Sequence, residues 1–235
     1  MSISFNFKEM RKLPVKFGIC LTVAAIMVLL TAIASSAQPK EPIKPAGKTI
    51  YRDSDGNIIS NNEFVDIRMA NFHYPDATVM KTLDDGTVEF RLQKIPQEGM
   101  TAPEFKVSVI DRPNVTLSSL RGKVVVLNFW FIGCPVCRAL KPQLNEFKAR
   151  FDGNDDVVFL AMAPDRENDV RQYLKKEPFD YIQATDANPA LAMFKFGGYP
   201  KNVVISKTGE IVYWRSTIKA WDKFESVIRS ALLKE

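Results

Sequence analysis

The stretch of sequence that decides the fold is Val124-Val-Val-Leu-Asn-Phe-Trp-Phe-Ile-Gly-Cys134-Pro-Val-Cys137. Its first six residues, Val124 to Phe129, are mostly apolar and β-branched without alternation, which predicts a strand buried on both faces. Apolar residues then recur at helical spacing from Pro135 to Phe151, which predicts a helix. The two cysteines, spaced C-x-x-C, therefore lie where a buried strand passes into a helix.

This placement makes Cys134 and Cys137 a candidate redox centre. The N-terminus of a helix carries a partial positive charge and unpaired backbone N–H groups, which stabilise a thiolate relative to a thiol. Pro135 suits the first helical position because no N–H is needed there. We therefore predict that Cys134 is the exposed nucleophile of thiol-disulfide exchange. Cys137, one turn further along, is predicted to be the buried cysteine that resolves the mixed disulfide.

Other uses of two nearby cysteines fit this sequence less well. A structural zinc site needs four ligands, but after residue 37 the chain has only these two cysteines and one histidine, His73. Neither a metal nor a cofactor is therefore predicted. The strongest alternative is a disulfide without redox activity, because a C-x-x-C pair can form an internal bond that takes no part in exchange.

Residues 1–37 are typical of an export signal or a membrane anchor. Positive residues between positions 8 and 16 precede the uncharged run 17–34, and Ala34-Ser-Ser-Ala37 offers small side chains to a signal peptidase. The same run borders on membrane-spanning length, so anchoring through residues 17–34 is an alternative to cleavage. In either case the cysteine domain is predicted to be exported, to the periplasm or the outer face of the cytoplasmic membrane.

The net charge gives no sign of a nucleic-acid partner. The chain carries +5, of which residues 1–37 contribute +3 through four basic residues and one acidic residue, so the rest carries only +2. Residues 38–47, which have three prolines among charged residues, are predicted to form an extended linker.

Residues 48–98 are predicted to form a β-rich extension. The pairs Asp55-Gly56 and Asp85-Gly86 are typical of hairpin turns, and β-forming residues flank each pair. The apolar content of this segment is too low to expect that it folds alone. The rest of the chain, 99–235, predicts a βαβ arrangement with a strand at 157–162, helices at 168–176 and 190–194, a hairpin over 202–214 and a last helix at 220–233.

Residues 99–235 resemble the TlpA/ResA-like thiol-disulfide oxidoreductases, which have the thioredoxin fold. The motifs that carry the resemblance are, in chain order, Ala102-Pro-Glu-Phe105, Leu120-Arg-Gly-Lys-Val-Val-Val-Leu-Asn-Phe-Trp130, the C-x-x-C pair, Pro142 and Gly197-Gly-Tyr-Pro200. The resemblance implies an α/β fold with a central mixed sheet flanked by helices. It also implies redox chemistry at Cys134 and Cys137.

The same resemblance implies roles for residues around the cysteine pair. Pro200 is expected to follow a cis bond and to lie against the cysteines, and the backbone of Tyr199 is expected to pair with an extended substrate segment. Trp130 is expected near the pair, chiefly as a wall of the core. From its position after Pro200, and not from the resemblance, Lys201 is interpreted as a solvated lysine at the start of a strand, and stabilisation of the thiolate by Lys201 is the alternative.

Two positions depart from the pattern of the family. Asn128 occupies the position of a buried aspartate in thioredoxin, and Leu140 occupies the position of a glutamate in many ResA-like proteins. An amide and an alkyl group accept no proton. Deprotonation of Cys137 is therefore expected to depend on water, a backbone partner or a more distant group.

The resemblance favours an envelope reductase that acts on protein disulfides and receives electrons from a membrane thiol donor. Two other functions fit the same residues or the same fold. One is a disulfide oxidant or isomerase, and the other is a thioredoxin-fold binding module with an inert disulfide. The residues between the cysteines, Pro135 and Val136, do not decide the redox direction.

Overall fold

The computed structural model describes residues 47–70 and 78–234. The predicted export signal or anchor, nearly all of the predicted linker and His73 lie outside these ranges. From Gly47 onward the chain forms one compact unit. Within the described ranges, no helix is both long enough and apolar enough to cross a membrane.

The extension forms a four-stranded sheet, and both predicted hairpins are confirmed. Its elements are the strands β1 (Thr49–Arg52), β2 (Ile58–Ile59), β3 (Val79–Thr82) and β4 (Val88–Arg91) and the helix α1 (Asn61–Arg68). The strand order is β2-β1-β4-β3. Both hairpins are antiparallel, whereas β1 and β4 pair in parallel at the centre.

Helix α1 is not among the elements predicted from the sequence. The hydroxyl of Ser60 caps its N-terminus by accepting a hydrogen bond from the backbone N–H of Glu63 at 3.1 Å. A serine followed three residues later by glutamate is a known signal of a helix start, and it would have revealed this helix. Phe64 packs against Tyr51 and Phe90, with ring centroids 4.4 Å and 5.8 Å away. These contacts fix α1 to its sheet.

The main sheet has seven strands and is mixed, as the resemblance implies. Its strands are β5 (Lys106–Val109), β6 (Arg112–Thr116), β7 (Val124–Phe129), β8 (Val157–Met162), β9 (Ile182–Thr185), β10 (Lys201–Ile205) and β11 (Ile211–Arg215). The strand order is β11-β10-β7-β8-β9-β5-β6. The central strands β7, β8 and β9 are parallel, and the outer strands pair antiparallel with their neighbours.

Four α-helices follow strands of this sheet. They are α2 (Pro135–Ala149), α3 (Glu167–Leu174), α4 (Asn188–Met193) and α5 (Trp221–Leu233). All four are predicted from the sequence with small differences at their ends. The strands β5, β6 and β9 are not predicted, because each is short and interrupted by polar residues. β6 even contains Pro113, which is tolerated because this strand is an edge of the sheet.

Strand β7 separates two hydrophobic clusters because its side chains alternate between the two faces of the sheet. Val125 and Phe129 belong to the cluster on one face, whereas Val126 belongs to the other cluster together with Cys134 and Cys137. All residues of β7 are buried, which confirms the prediction of a strand covered on both faces. The cysteines therefore lie on one defined side of the sheet.

The extension shares a hydrophobic core with the main sheet. Its residues Ala70 and Ile95 are 1% and 6% exposed, and they belong to the same cluster as Phe129 and Trp214. The low apolar content that the sequence shows for this segment is thus compensated by packing against the main sheet. Residues of the extension therefore help to form the core on one face of the main sheet.

Candidate active site

The centre of the site is a disulfide between Cys134 and Cys137, whose Cα atoms lie 5.3 Å apart. Cys134 is the N-cap of α2, and Pro135 is the first residue of the helix, as predicted. The backbone N–H of Cys137 donates a hydrogen bond to the Sγ atom of Cys134 at 3.1 Å. One of the N–H groups left unpaired at the helix start therefore faces this sulfur, which is the arrangement that stabilises a thiolate.

The prediction that Cys134 is exposed is wrong for the disulfide form. Cys134 is 3% exposed and Cys137 is 2% exposed, and both belong to a hydrophobic cluster. The reason is that the start of α2 packs against this cluster, as do Phe131 and Ile132 from the preceding loop. By contrast, Val136 between the cysteines is 56% exposed, so this turn of the helix lies at the surface.

The segment before β10 lies at the same end of the sheet as the disulfide. Lys201 pairs with Phe129, the last residue of β7, so Pro200 lies beside the loop that leads to Cys134. The bond between Tyr199 and Pro200 is cis, as expected. The ring of Tyr199 is 5.1 Å from that of Phe131, and Tyr199 packs against the cluster that contains both cysteines.

Trp130 lies in the core beside the disulfide cluster. Its side chain is fully buried, and its ring centroid is 5.6 Å from that of Tyr173 and 5.8 Å from that of Phe179. Its indole N–H has no hydrogen-bond partner within the part of the chain that the structure describes. A side chain in this position forms a wall of the core, which agrees with the interpretation from the sequence.

A charged cluster that is not predicted from the sequence lies along α2. The carboxylate of Glu177 accepts hydrogen bonds from Arg138, Lys141 and Tyr173. These contacts, that of Arg138 above all, lower the pKa of Glu177 to about 2. Burial lowers the pKa of Lys141, whose ammonium group lies 5.5 Å from the ring centroid of Trp130. A carboxylate with so low a pKa is a weak base, so Glu177 does not replace the missing glutamate as a proton acceptor.

The two positions that depart from the family pattern hold no titratable group. Asn128 is buried, and its side-chain N–H donates a hydrogen bond to the side-chain oxygen of Asn202 at 2.9 Å. Leu140 is partly buried on α2. A carboxylate does reach the loop before the disulfide from another element, because Asp165 accepts a hydrogen bond from the backbone N–H of Ile132 at 3.0 Å.

The interpretation of Lys201 as a solvated lysine is wrong. Its side chain is fully buried, and its ammonium group donates hydrogen bonds to the carbonyl oxygen of Ala70 at 2.5 Å and to the hydroxyl of Ser216 at 2.7 Å. Burial lowers its pKa to about 8, and the nearby charge of Arg215 acts in the same direction. The sequence gives no sign of this, because Ala70 lies far away along the chain.

We expect the wild-type protein to gain stability relative to a Lys201→Met variant as the pH rises from 8 to 10. The folded-state pKa of Lys201 is about 8, whereas that of a lysine in an unfolded chain is about 10.4. Between these values the unfolded chain binds more protons, so folding becomes more favourable as the pH rises. The expected gain is on the order of 2 to 3 kcal/mol.

Urea unfolding of both proteins at pH 7, 8, 9 and 10 would measure this gain. Both proteins contain the same buried tyrosines, so the contribution of tyrosine titration to the free energy of unfolding cancels in the difference between them. A difference in the free energy of unfolding that is constant from pH 7 to 10 would show that Lys201 titrates as an ordinary exposed lysine.

The described residues contain no group of three or more histidine, cysteine, aspartate or glutamate side chains that could hold a metal ion. The candidate site comprises the disulfide, the N-terminus of α2 and the neighbouring segment that precedes β10. Its fold and its C-x-x-C disulfide define a thioredoxin-fold thiol-disulfide oxidoreductase. The sequence model of the Redoxin family matches residues 97–226, which is more than half of the chain, and the protein belongs to this family.

Known relatives agree with this assignment. The thiol-disulfide oxidoreductase ResA of Bacillus cereus is 27% identical over 117 residues, which cover 49% of this chain and 68% of the relative. The ResA protein of Oceanobacillus iheyensis is 29% identical over 123 residues, covering 50% of this chain and 64% of that protein. This chain thus spans about two thirds of the length of each of these relatives.

A solved structure supports the same fold. The crystal structure of a Chlorobium tepidum protein assigned as the thiol:disulfide interchange protein DsbE is similar to this chain, with a TM-score of 0.50 and 27% identity. The similarity covers 57% of this chain and 97% of that structure. It is therefore confined to part of this chain, although it includes nearly all of the other protein.

Proposed function

We propose that the protein is a thiol-disulfide reductase of the cell envelope that acts on disulfides of other proteins. The observation that carries this proposal is the position of Cys134, which caps α2, is bonded to Cys137 and is contacted by a backbone N–H. Two relatives are named thiol-disulfide oxidoreductase ResA, which supports exchange chemistry. The choice of reduction over oxidation rests on the resemblance to the TlpA/ResA-like proteins.

The proposed reaction has two exchange steps. In the first step the Cys134 thiolate attacks one sulfur of the substrate disulfide, which forms a mixed disulfide and releases the other substrate sulfur as a thiolate. In the second step the Cys137 thiolate attacks the Sγ atom of Cys134, and the remaining substrate sulfur leaves. The substrate gains two electrons and two protons, while Cys134 and Cys137 lose them and form the disulfide that the structure contains.

The helix N-terminus supports the first step. In the disulfide form the N–H of Cys137 already points at the Sγ atom of Cys134. A thiolate at the same position would accept this hydrogen bond and would benefit from the positive end of the helix dipole. The second step has no comparable support, because Glu177 is already engaged and Asn128 accepts no proton. We propose that water takes the proton of Cys137.

The segment before β10 is the proposed place of substrate contact. Pro200 has no backbone N–H, so it offers no donor that would compete for the sulfur of Cys134. Tyr199 lies two residues before Lys201, where β10 begins, and its backbone is proposed to pair with an extended substrate segment, as in other cases of strand addition.

The location and the electron donor are inferred from the sequence. Basic residues before the apolar run 17–34 favour export of the cysteine domain, with either cleavage after Ala37 or anchoring through that run. An oxidising compartment would keep the pair as a disulfide unless another protein reduces it. A membrane thiol carrier is therefore the proposed electron donor.

The reduction potential of the disulfide tests this proposal. The full-length protein would be equilibrated with mixtures of reduced and oxidised dithiothreitol or glutathione, and the fraction of free Cys134 and Cys137 would be measured by thiol labelling. We expect a potential nearer to that of thioredoxin, about −270 mV, than to that of the oxidant DsbA, about −120 mV. A potential near that of DsbA would make the protein an oxidant. If no free thiol is detected on Cys134 and Cys137 in any of these mixtures, the disulfide is inert.

A further inference from the structure

A groove runs between the first turns of α2 and the loop that follows β11. Its volume is about 200 Å³. One wall is formed by side chains of α2, including Val136 and Leu140, and the other by the loop Ser216–Lys219. Val136 lies between the two cysteines in the sequence, so the groove reaches the turn of α2 that carries the disulfide. The wall formed by α2 is largely apolar.

The loop that forms the second wall is held by a side chain of the extension. Asp66 on α1 is 1% exposed. Its carboxylate accepts a hydrogen bond from the hydroxyl of Thr217 at 2.7 Å, two from the backbone N–H of Lys219 at 3.0 and 2.8 Å, and one from the backbone N–H of Ala220 at 2.9 Å. A single buried carboxylate therefore holds this loop at Thr217 and Lys219 and at Ala220, where α5 begins.

Few other hydrogen bonds could replace those of Asp66 in holding the loop. Within the described residues, Thr217, Ile218 and Lys219 form no backbone–backbone hydrogen bond. The loop also leads directly into α5, and a carboxylate is favourable near the positive end of that helix. Removal of the carboxylate would leave the N–H groups of Lys219 and Ala220 without their acceptor, and the loop would adopt several arrangements.

We propose that Asp66 is a positioning residue that holds this loop as a wall for an apolar segment of a polypeptide substrate. The segment would be the part of the substrate that flanks its reacting disulfide. Three observations favour such an occupant: the groove includes Val136 from the turn that carries the disulfide, its α2 wall is largely apolar, and Val136 is 56% exposed. The extension would thus act in substrate recognition, although it contributes no reacting group.

This inference rests on the proposed exchange with protein disulfides, and the test separates the two. The full-length protein is reduced beforehand and mixed with either insulin, a disulfide-bonded polypeptide, or glutathione disulfide, which is too small to need the groove wall. The loss of free thiols on Cys134 and Cys137 gives a second-order rate constant for each substrate. If the reduced protein exchanges with glutathione disulfide, that result supports the proposed exchange chemistry, whatever the result with insulin.

We expect Asp66→Ala to lower the rate constant with insulin by about tenfold, as the loss of one or two hydrogen bonds in a binding wall would do. The rate constant with glutathione disulfide should stay within about twofold of the wild-type value. Thr217→Val, which keeps the shape of the side chain and removes one hydrogen bond, should give a smaller loss of the same kind. This milder variant keeps the test decisive if Asp66→Ala fails to fold.

Glu63→Gln is the matched control. Glu63 lies on the same helix and forms an ion pair with Lys223 at 3.3 Å, and within the described ranges no hydrogen bond or ion pair joins its side chain to the loop. Both rate constants should therefore remain at the wild-type level in this variant. Equal losses with insulin and with glutathione disulfide, or no loss with either in Asp66→Ala and Thr217→Val, would overturn the proposed role of Asp66.

Discussion

Replacing Cys134 by serine is expected to lower the rate of insulin reduction by about a thousandfold or more. Cys134 caps α2, where a backbone N–H contacts its sulfur, whereas the hydroxyl of serine is not ionised at neutral pH. The measurement is the single-turnover loss of protein thiols after the reduced full-length protein is mixed with insulin. Folding should be unaffected, because serine is smaller than cysteine and is a favourable N-cap residue.

Cys137→Ser is the informative partner of this variant. It keeps the nucleophile and lacks the resolving thiol, so it should accumulate a mixed disulfide that mass spectrometry detects as a covalent adduct at Cys134. Alkylation rates measured across pH should also show a lower thiol pKa for the variant that retains Cys134. Faster alkylation of the variant that retains only Cys137 would reverse the roles that we assign to the two cysteines.

Replacing Trp130 by alanine is expected to lower the free energy of unfolding by about 3 to 5 kcal/mol. The indole ring is fully buried and packs against Tyr173 and Phe179, so the substitution would leave a large cavity beside the disulfide cluster. Urea or thermal unfolding of the oxidised proteins would measure the loss. Exchange of the remaining folded molecules with glutathione disulfide should change little, because Trp130 is not at the surface.

Trp130→Phe provides the control for cavity size. Phenylalanine keeps an aromatic ring in contact with its neighbours and removes an N–H that has no partner among the described residues, so it should cost much less than alanine. Stability that is unchanged in Trp130→Ala, accompanied by a large loss of insulin reduction, would contradict the core position and make Trp130 a substrate contact.

The central part of the fold could be predicted because its signals are local. The continuous apolar run of β7 and the helical spacing of α2 each lie within a few consecutive residues, and the C-x-x-C pair lies between them. The strands β9 and β6, on the other side of the sheet, are harder to predict from the sequence. Strand β9 has only four residues, and the edge strand β6 has few buried positions. Their formation depends on pairing with strands that are distant in sequence, which a local pattern does not contain.

The same distinction applies to the site. Cys134, Cys137 and Pro200 are recognisable because they belong to short motifs. The burial of Lys201 and the contacts of Asp66 are not recognisable in this way, because each depends on a partner more than a hundred residues away along the chain. A charged side chain in a sequence is expected to be solvated, and only tertiary structure shows that these two are not.

The hydrogen bond between Lys201 and the carbonyl oxygen of Ala70 has a consequence for how such a protein can evolve. Its acceptor belongs to the main chain, so mutation of residue 70 does not remove it, whereas deletion of the segment does. A lineage that lost the extension would leave the ammonium group of Lys201 with only the hydroxyl of Ser216 of its two acceptors, and replacement of Lys201 would then be favoured. Presence of the extension and the identity of residue 201 should therefore be inherited together.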